Sequence, residues 1–255
     1  MLSNRVTATY QNRVAICMSR TVVVAGVGHG LGSSVAREFA SQGANVALLA
    51  RSADFLEATA EQINETKAGT ALAIPTDITD ANAVERAFGR IHDRFGTLDV
   101  LVNNVTSSQA GRGGILEMSE DDLAGAWAVR VAGQFRCAKA AAADMAATDG
   151  GTILFTTSQS AIIPSENLAF ATARHAVRGM ARSMASDLGD RGVQTIHVVI
   201  DGWIENPDLR KQYPEHERWM DPDEVAATYR RLADNPQTVH ASEIDLRHPG
   251  DEVSF

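Results

Sequence analysis

A glycine-rich turn near the start of the chain is the first place where residue types and spacing point to chemistry. Four glycines alternate with other residues over 26–32, directly after the apolar run 21–25 and before an amphipathic segment, 33–42. A buried strand that feeds a glycine turn and then a helix suits the pyrophosphate of a dinucleotide. Glycine lets the backbone approach the phosphates, and the helix N-terminus offers free N–H groups. The sequence therefore predicts a dinucleotide-binding site here.

The order of apolar and helical segments predicts the fold that carries this turn. Apolar runs rich in Val, Ile and Leu alternate with helical patterns, which is typical of βαβ units and a parallel sheet covered on both faces. Strands are predicted over 21–25, 45–50, 71–75, 98–103, 152–157, 193–200 and 243–246. Helices are predicted over 32–42, 53–66, 81–95, 121–147, 169–190 and 221–233, with Asp80 and Ser119 as caps. The predicted fold class is α/β, a single-domain Rossmann fold with a doubly wound parallel sheet and helices on both faces.

Composition favours one domain and excludes several classes of function. A chain of 255 residues that is 44% hydrophobic suits one large domain. We expect it over 18–255, after a loose extension, 1–17, and with a mobile substrate loop over 203–220, a segment without clear periodicity.

The net charge and the number of cysteines limit the partners and the cellular compartment that we expect. A net charge of −9 argues against a nucleic-acid partner, which needs a clustered basic face, and no apolar run is long enough to span a membrane. Two cysteines, Cys17 and Cys137, are too few for a disulfide framework or a metal cluster, which favours a reducing compartment. We therefore expect a cytoplasmic protein without a metal, a membrane or a nucleic acid.

Six motifs in a fixed order extend the pattern beyond the glycine turn. They are the glycines at 26, 30 and 32 and the segments 76–78, 103–105, 151–158, 170–174 and 201–202. With these motifs the chain resembles the short-chain dehydrogenase/reductase superfamily from Ser19 to its C-terminus. The resemblance implies a nicotinamide cofactor, a small-molecule alcohol or carbonyl substrate, and a homodimer or homotetramer.

The resemblance also implies cofactor contacts at particular residues. The expected contacts are Gly26, Gly30 and Gly32 with the pyrophosphate, Leu31 with the nicotinamide, Asp77 beside Ile78 with the adenine, Asn103 and Asn104 with the adenosine and the central strand, Arg174 with the nicotinamide ribose, and Asn206 in place of a Thr that touches the cofactor. A cap at the following helix is the alternative role of Asp77.

The residues after the second predicted strand discriminate between the two nicotinamide cofactors. An NAD site normally places an acid there to accept a hydrogen bond from the ribose 2′-hydroxyl. In this chain Ala50 takes that place and Arg51 follows. A guanidinium with five donors suits a 2′-phosphate. The sequence therefore predicts NADP(H) as the preferred cofactor and NAD(H) as the less favoured one, unless Arg51 is only a solvated surface charge.

The catalytic set that the resemblance implies is largely replaced. The superfamily uses a Tyr that exchanges the substrate proton, a Lys four residues later, a Ser and an Asn. By position these are Phe170, Arg174, Ser158 and Arg130, with Thr157 nearly as well placed as Ser158. Phe170 has no hydroxyl that can exchange a proton, and Arg174 stays charged and relays none. The exchange of Tyr for Phe resembles an atypical bacterial subgroup of the superfamily.

Two arginines around a site without a phenol suit an anionic group such as a carboxylate or phosphate, unless Arg130 extends to the surface. The predicted function is an NADP(H)-dependent oxidoreductase that acts on an unidentified carbonyl or alcohol with a non-standard proton donor. Candidate donors are Ser158, Glu166, His175, Tyr213 or an ordered water.

Two alternatives stay open. One is a catalytically inactive NAD(P)-binding sensor or partner subunit, since fold does not fix function. The other is a haloalcohol dehalogenase, which Arg174 fits but which Phe170 and the intact glycine turn disfavour.

Overall fold

A parallel sheet forms the centre of the computed structural model, which describes residues 19–106, 113–236 and 238–250. Its strands are β1 (Thr21–Ala25), β2 (Asn45–Ala50), β3 (Thr70–Pro75), β4 (Val100–Asn103), β5 (Gly151–Ser158), β6 (Val193–Asp201) and β9 (Glu243–Arg247). They lie in the order β3-β2-β1-β4-β5-β6-β9, and every neighbouring pair is parallel. Two short strands, β7 (Trp203–Ile204) and β8 (Trp219–Met220), pair with each other.

Helices cover both faces of this sheet. They are α1 (Leu31–Ser41), α2 (Ala53–Thr66), α3 (Ala81–Phe95), α4 (Glu120–Trp127), α5 (Gln134–Ala146), α6 (Leu168–Leu188), α7 (Pro207–Gln212) and α8 (Pro222–Ala233). Val22 and Val24 pack in one cluster with side chains of α1 and α8, whereas Val23 and Ala25 pack in another with side chains of α3, α5 and α6. This alternation confirms the predicted doubly wound α/β fold.

The segment predicted as a helix over 121–147 is helical over 120–146, but it is not a regular α-helix throughout. After α4 the backbone widens into a π-helix, Ala128–Gly133, and only then continues as α5. Gly133 packs so closely on Ile78 that an added Cβ would lie 2.6 Å from the Ile78 side chain. The same π-helix buries Arg130, which is 3% exposed. Such π-bulges occur frequently at functional sites.

The segment 203–220 is more regular than its lack of periodicity suggests. It contains β7, α7 and β8, and the side chain of Asn206 caps α7 by accepting hydrogen bonds from the N–H groups of Asp208 and Leu209 at 3.0 and 2.9 Å. Pro207 occupies the first turn of that helix, where its missing N–H costs nothing. The expectation of an irregular segment was therefore wrong for 207–212.

Both predicted helix caps are confirmed. Asp80 accepts a hydrogen bond from the N–H of Asn82 at the start of α3, and Ser119 forms a capping box with Asp122 at the start of α4. The expected extension 1–17 lies outside the described residues. Within the described ranges, no helix has the length and apolar character needed to cross a membrane.

Candidate active site and cofactor cleft

A large cavity lies along the carboxyl ends of the central strands. Its volume is about 1070 Å³, and its wall contains residues at or just after the ends of β1 to β6. The sheet order changes direction between β1 and β4, and ligands of open α/β folds bind at such a switch point. Most of the predicted cofactor contacts line this cavity: Gly26, Gly30, Leu31, Gly32, Arg51, Asp77, Ile78, Asn104, Arg174 and Asn206.

The glycine turn has the backbone geometry that phosphate binding needs. Gly26 has a φ of +96°, and a Cβ on it would lie 2.6 Å from the carbonyl oxygen of Asn104. A Cβ on Gly32 would lie 2.3 Å from the carbonyl oxygen of Gly26, so side chains are excluded at both positions. No side chain caps the N-terminus of α1. Its first N–H groups are thus available to an anion, and this fits a dinucleotide pyrophosphate.

The part of the cavity wall that follows β2 and β3 carries one cation and one carboxylate. Arg51 and Asp77 are both exposed and follow β2 and β3. The Asp77 carboxylate accepts hydrogen bonds from the backbone N–H and the hydroxyl of Thr79, at 2.9 and 2.8 Å. The backbone bond above all, then the hydroxyl bond and the charge of Arg51, lower the pKa of Asp77. It stays ionised and acts as a hydrogen-bond acceptor.

The two neighbouring asparagines have different surroundings. Asn104 lines the cavity and donates from Nδ2 to the carbonyl of Gly26 at 3.0 Å, so it fixes the turn. Asn103 is fully buried, and its Nδ2 donates to the carbonyl of Gln134 at 3.4 Å. Asn103 is absent from the cavity wall, and its expected contact with the adenosine stays a prediction. Its side chain ties β4 to α5, consistent with support of the central strand.

A second cavity adjoins the first at the end of β5. Its volume is about 600 Å³, and it shares Ser158, Ile200, Gly202 and Trp203 with the larger one. Ser158 therefore borders both spaces, and its Oγ lies 2.9 Å from Oγ of Ser160. Of the candidate donors Ser158, Glu166, His175 and Tyr213, only Ser158 lines either cavity. Among the described residues in the two walls there is neither a tyrosine nor a lysine.

Phe170 lines the second cavity and contacts two arginines. The guanidinium carbons of Arg130 and Arg174 lie 4.8 and 4.3 Å from the centre of its ring. Such cation–π contacts stabilise buried guanidinium groups. Because Arg130 is buried, the alternative that it extends to the surface was wrong.

Arg174 is a cation with few polar contacts. Burial first, and then the charge of Arg130, lower the pKa of Arg174 to about 9, so it stays protonated at neutral pH. Its Nε is buried without a hydrogen-bond partner, and across the described ranges its guanidinium forms no ion pair. Since Arg174 lines the large cavity, this donor fits an oxygen-rich ligand such as a ribose.

A chain of hydrogen bonds that sequence reasoning missed runs beneath the same cavity wall. Thr157 Oγ1 lies 2.6 Å from His197 Nε2, and His197 Nδ1 lies 2.9 Å from Glu243 Oε2. Arg178 donates two hydrogen bonds of 2.8 Å to the carboxylate of Glu243. The one available signal was His197 itself, a single imidazole inside the apolar β6 run.

Contacts and burial set the protonation states of Glu243 and His197 in this row of hydrogen bonds. The bonds from Arg178 are the main reason that the pKa of Glu243 falls to about 2. Burial lowers the pKa of His197, and the charges of Arg178 and Arg174 act in the same direction, against the raising effect of Glu243. At neutral pH the carboxylate is ionised and the imidazole is neutral.

The predicted substrate loop carries an aromatic cluster. The ring of Trp203 lies 4.7 Å from Tyr213, 4.9 Å from His216 and 6.0 Å from Trp219, centre to centre. Trp203 borders both cavities, and His216 borders the second. This arrangement gives the second cavity an aromatic wall. No group of three His, Cys, Asp or Glu suited to a metal ion occurs in the described part of the chain.

Comparison with known proteins agrees with this architecture. The family model for short chain dehydrogenases matches residues 20–218. Meso-2,3-butanediol dehydrogenase of Serratia marcescens is 31% identical over 241 residues, which are 89% of this chain and 93% of that protein. D-beta-hydroxybutyrate dehydrogenase of Rhizobium meliloti is 28% identical over 207 residues, 79% of this chain and 78% of that protein.

A solved structure extends the likeness to the fold. The L-sorbose reductase of Gluconobacter frateurii, complexed with NADPH and L-sorbose, superposes with a TM-score of 0.82 at 20% identity, covering 91% of this chain and 98% of that one. Fold, motifs and relatives together define the class: the chain belongs to the short-chain dehydrogenase family. Its named relatives are dehydrogenases and reductases.

Proposed function

We propose that this protein is an NADP(H)-dependent oxidoreductase that interconverts a small-molecule alcohol and its carbonyl compound, using a proton donor other than the Tyr of the superfamily. The observation that carries the proposal is the large cavity, whose wall combines the glycine turn, closed to side chains at Gly26 and Gly32, with the guanidinium of Arg51. The uncapped N-terminus of α1 fits the pyrophosphate, and the guanidinium of Arg51 in the same cavity wall fits the 2′-phosphate.

The residues of the cleft divide the work of holding the cofactor. The backbone at Gly30 and Leu31 would hold the pyrophosphate, Asp77 the adenine amino group and Arg174 the nicotinamide ribose. The cofactor, when bound, supplies or accepts hydride. The chain supplies position and electrostatics, and Ser158, on the border of the two cavities, orients the substrate oxygen.

The absence of Tyr and Lys from the described walls supports the proposed change of proton donor. Phe170 offers a ring to two guanidiniums rather than a hydroxyl to a substrate. Both arginines carry positive charge, so an anionic group on the substrate is favoured nearby. The substitution of Phe for Tyr suggests an atypical subgroup of the family.

Surface side chains support an oligomer. Trp127 at the end of α4 and Phe135 in α5 are 41% and 49% exposed, which is high for large apolar residues on either side of the π-helix. We propose a homodimer or homotetramer through this face. Light scattering behind a sizing column tests it, and a monomer at micromolar concentration contradicts it.

Turnover tests the proposed function directly. NADP⁺ reduction is followed at 340 nm with 2,3-butanediol and 3-hydroxybutyrate, and NADPH oxidation with L-sorbose, which represent the substrates named for the relatives. Turnover with any of them, lost in Ser158→Ala, supports the proposal. Tight NADPH binding without turnover contradicts it and favours the alternative, a cofactor-binding sensor or partner subunit.

A further inference from the structure

The hydrogen-bond chain beneath the cavity offers a replacement for the missing proton donor. We propose that Thr157 is the catalytic hydroxyl that exchanges a proton with the substrate oxygen, and that His197 and Glu243 are positioning residues that accept and stabilise that proton. This inference rests on the proposed function, because it assigns a residue within the same reaction. Thr157 lines the large cavity beside Ser158 and Arg174, so the three side chains border one reaction space.

In the row of hydrogen bonds from Thr157 to Glu243, the contacts of Glu243 fix the direction of every bond. The carboxylate of Glu243 only accepts, and it receives bonds from Arg178 and from His197 Nδ1. The proton of neutral His197 therefore resides on Nδ1, and Nε2 carries a lone pair. The hydroxyl of Thr157 must donate to that lone pair across 2.6 Å. Its oxygen is left with lone pairs that accept a hydrogen bond from a substrate hydroxyl.

This polarity is the one that alcohol oxidation needs. The substrate O–H bond breaks and its proton passes to Thr157 Oγ1 while the original proton of Thr157 passes to His197 Nε2. The two electrons of the substrate C–H bond leave as hydride to the oxidised nicotinamide cofactor of the proposed function. The substrate becomes a carbonyl compound, and His197 becomes an imidazolium paired with Glu243. In reduction the same proton returns through Thr157 to the substrate oxygen.

The surroundings of His197 suit a base that is neutral before the reaction. Three charged groups act on it from the packed elements: Glu243 on β9, and Arg178 and Arg174 on α6. Thr157 on β5 is its uncharged hydroxyl partner. His197 is fully buried and Thr157 is 2% exposed. Bulk water is therefore kept from the pair, while Thr157, which bonds the imidazole, also belongs to the wall of the large cavity.

A purely structural role is the competing explanation, since the chain also ties β5, β6, β9 and α6 together. Thr157→Val keeps the shape but removes the hydroxyl, whereas the matched control Thr157→Ser retains it. We expect Thr157→Val to lower kcat by about 10²–10⁴-fold, the usual effect of losing general acid–base catalysis, with KM and the Kd for NADPH unchanged. Thr157→Ser should stay within about tenfold of the parent protein.

The pH profile and one measurement without turnover separate the two explanations. In the parent protein kcat for oxidation should fall as His197 becomes protonated, and this limb should disappear in Thr157→Val. ¹⁵N NMR of histidine-labelled protein, assigned with His197→Gln, should show Nδ1 protonated and Nε2 unprotonated, with a shift at Nε2 in Thr157→Val. If Thr157 has only a structural role, Thr157→Val lowers the melting temperature. It then leaves the acid limb in place and does not change kcat independently of KM.

The outcomes distinguish failure of the role of Thr157 from failure of the proposed function. A parent protein that turns over while Thr157→Val matches it in kcat and pH profile overturns the role of Thr157 and leaves the proposed function intact. Protonation of His197 Nε2 in the NMR spectrum also overturns it. A parent protein that binds NADPH and turns over nothing overturns the proposed function together with the role of Thr157.

Discussion

Arg174 lies one helical turn after Phe170, and its guanidinium carbon is 4.3 Å from the centre of the Phe170 ring. The same ring also contacts Arg130 from the π-helix, at 4.8 Å. Two like charges are thus held near each other at the edge of the cleft by one aromatic side chain. The ring offsets part of the cost of burying them, and of the two arginines Arg174 lines the large cavity.

Replacing the Phe170 ring should therefore lower the stability of the folded protein. Phe170→Leu removes two cation–π contacts while keeping an apolar side chain, and we expect the free energy of unfolding to fall by about 1–3 kcal/mol. Urea unfolding measures it. Phe135→Leu, at a position that is 49% exposed, is the matched control and should change stability by less than about 0.5 kcal/mol. Equal stability of the two variants would refute the stabilising role of the ring.

The glycine turn allows a paired substitution. A methyl group on Gly32 meets the carbonyl of Gly26 at 2.3 Å, whereas one on Gly28 has nothing within 4 Å. Gly32→Ala should lose about 1–3 kcal/mol of stability through overpacking, which lowers the melting temperature by roughly 2–10 °C at this chain length. Gly28→Ala should melt within about 2 °C of the parent protein. Calorimetric melting without cofactor distinguishes the two, and an unaffected Gly32→Ala would contradict the packing of the turn.

Arg51 should determine the choice of cofactor. Its loss removes charged hydrogen bonds to a 2′-phosphate, worth about 1.5–3 kcal/mol, so Arg51→Ala should weaken NADPH binding by about 10–100-fold and leave NADH binding nearly unchanged. Arg90→Ala removes an equal charge from the exposed side of α3 and should affect neither cofactor. Titration calorimetry of both variants with NADPH and with NADH measures these four changes in binding. An equal loss for both cofactors in Arg51→Ala would mean that Arg51 does not read the phosphate.

The ion pair of Glu243 should make stability depend on acid pH. Because Arg178 lowers the pKa of Glu243 from 4.5 to about 2, the folded state holds the carboxylate ionised where the unfolded chain binds a proton. The stabilisation, of order 2–3 kcal/mol, is complete above about pH 4.5 and disappears as pH falls towards 2.

Urea unfolding across pH 2 to 7 tests this dependence. The stability difference between the parent protein and Glu243→Gln should be constant above about pH 4.5 and shrink below it. Glu57→Gln on the exposed side of α2 controls for the loss of one charge. A difference that stays the same down to pH 2 would show that Glu243 gains nothing from Arg178.

Local sequence pattern was sufficient for most of the fold. The strands at Thr21–Ala25 and Asn45–Ala50 and the helices at Ala53–Thr66 and Ala81–Phe95 match their predicted bounds, because apolar periodicity and capping residues act over a few neighbours. The π-helix at Ala128–Gly133 was missed because its cause is tertiary. Close packing of Gly133 on Ile78 leaves no signal in the periodicity.

The candidate site likewise contains some residues that the sequence predicted and others that only tertiary structure brings together. The glycine turn and Arg51 follow directly after strands, so sequence order placed them at the carboxyl edge of the sheet. Asn103 and Asn104 are adjacent in sequence, but Asn103 is buried against the carbonyl of Gln134 whereas Asn104 lines the cavity and bonds to Gly26. Only these tertiary contacts distinguish them. The chain from Thr157 to Glu243 joins three strands distant in sequence. Strand order alone made its members neighbours.

The central claim is that the cleft binds NADP(H), and side-by-side calorimetric titration of the purified protein with NADPH and NADH tests it most directly. We expect micromolar binding of NADPH, tighter than that of NADH by at least about tenfold, the weakest effect expected from charged hydrogen bonds to the 2′-phosphate. Absence of heat with either cofactor, or tighter binding of NADH, would contradict it.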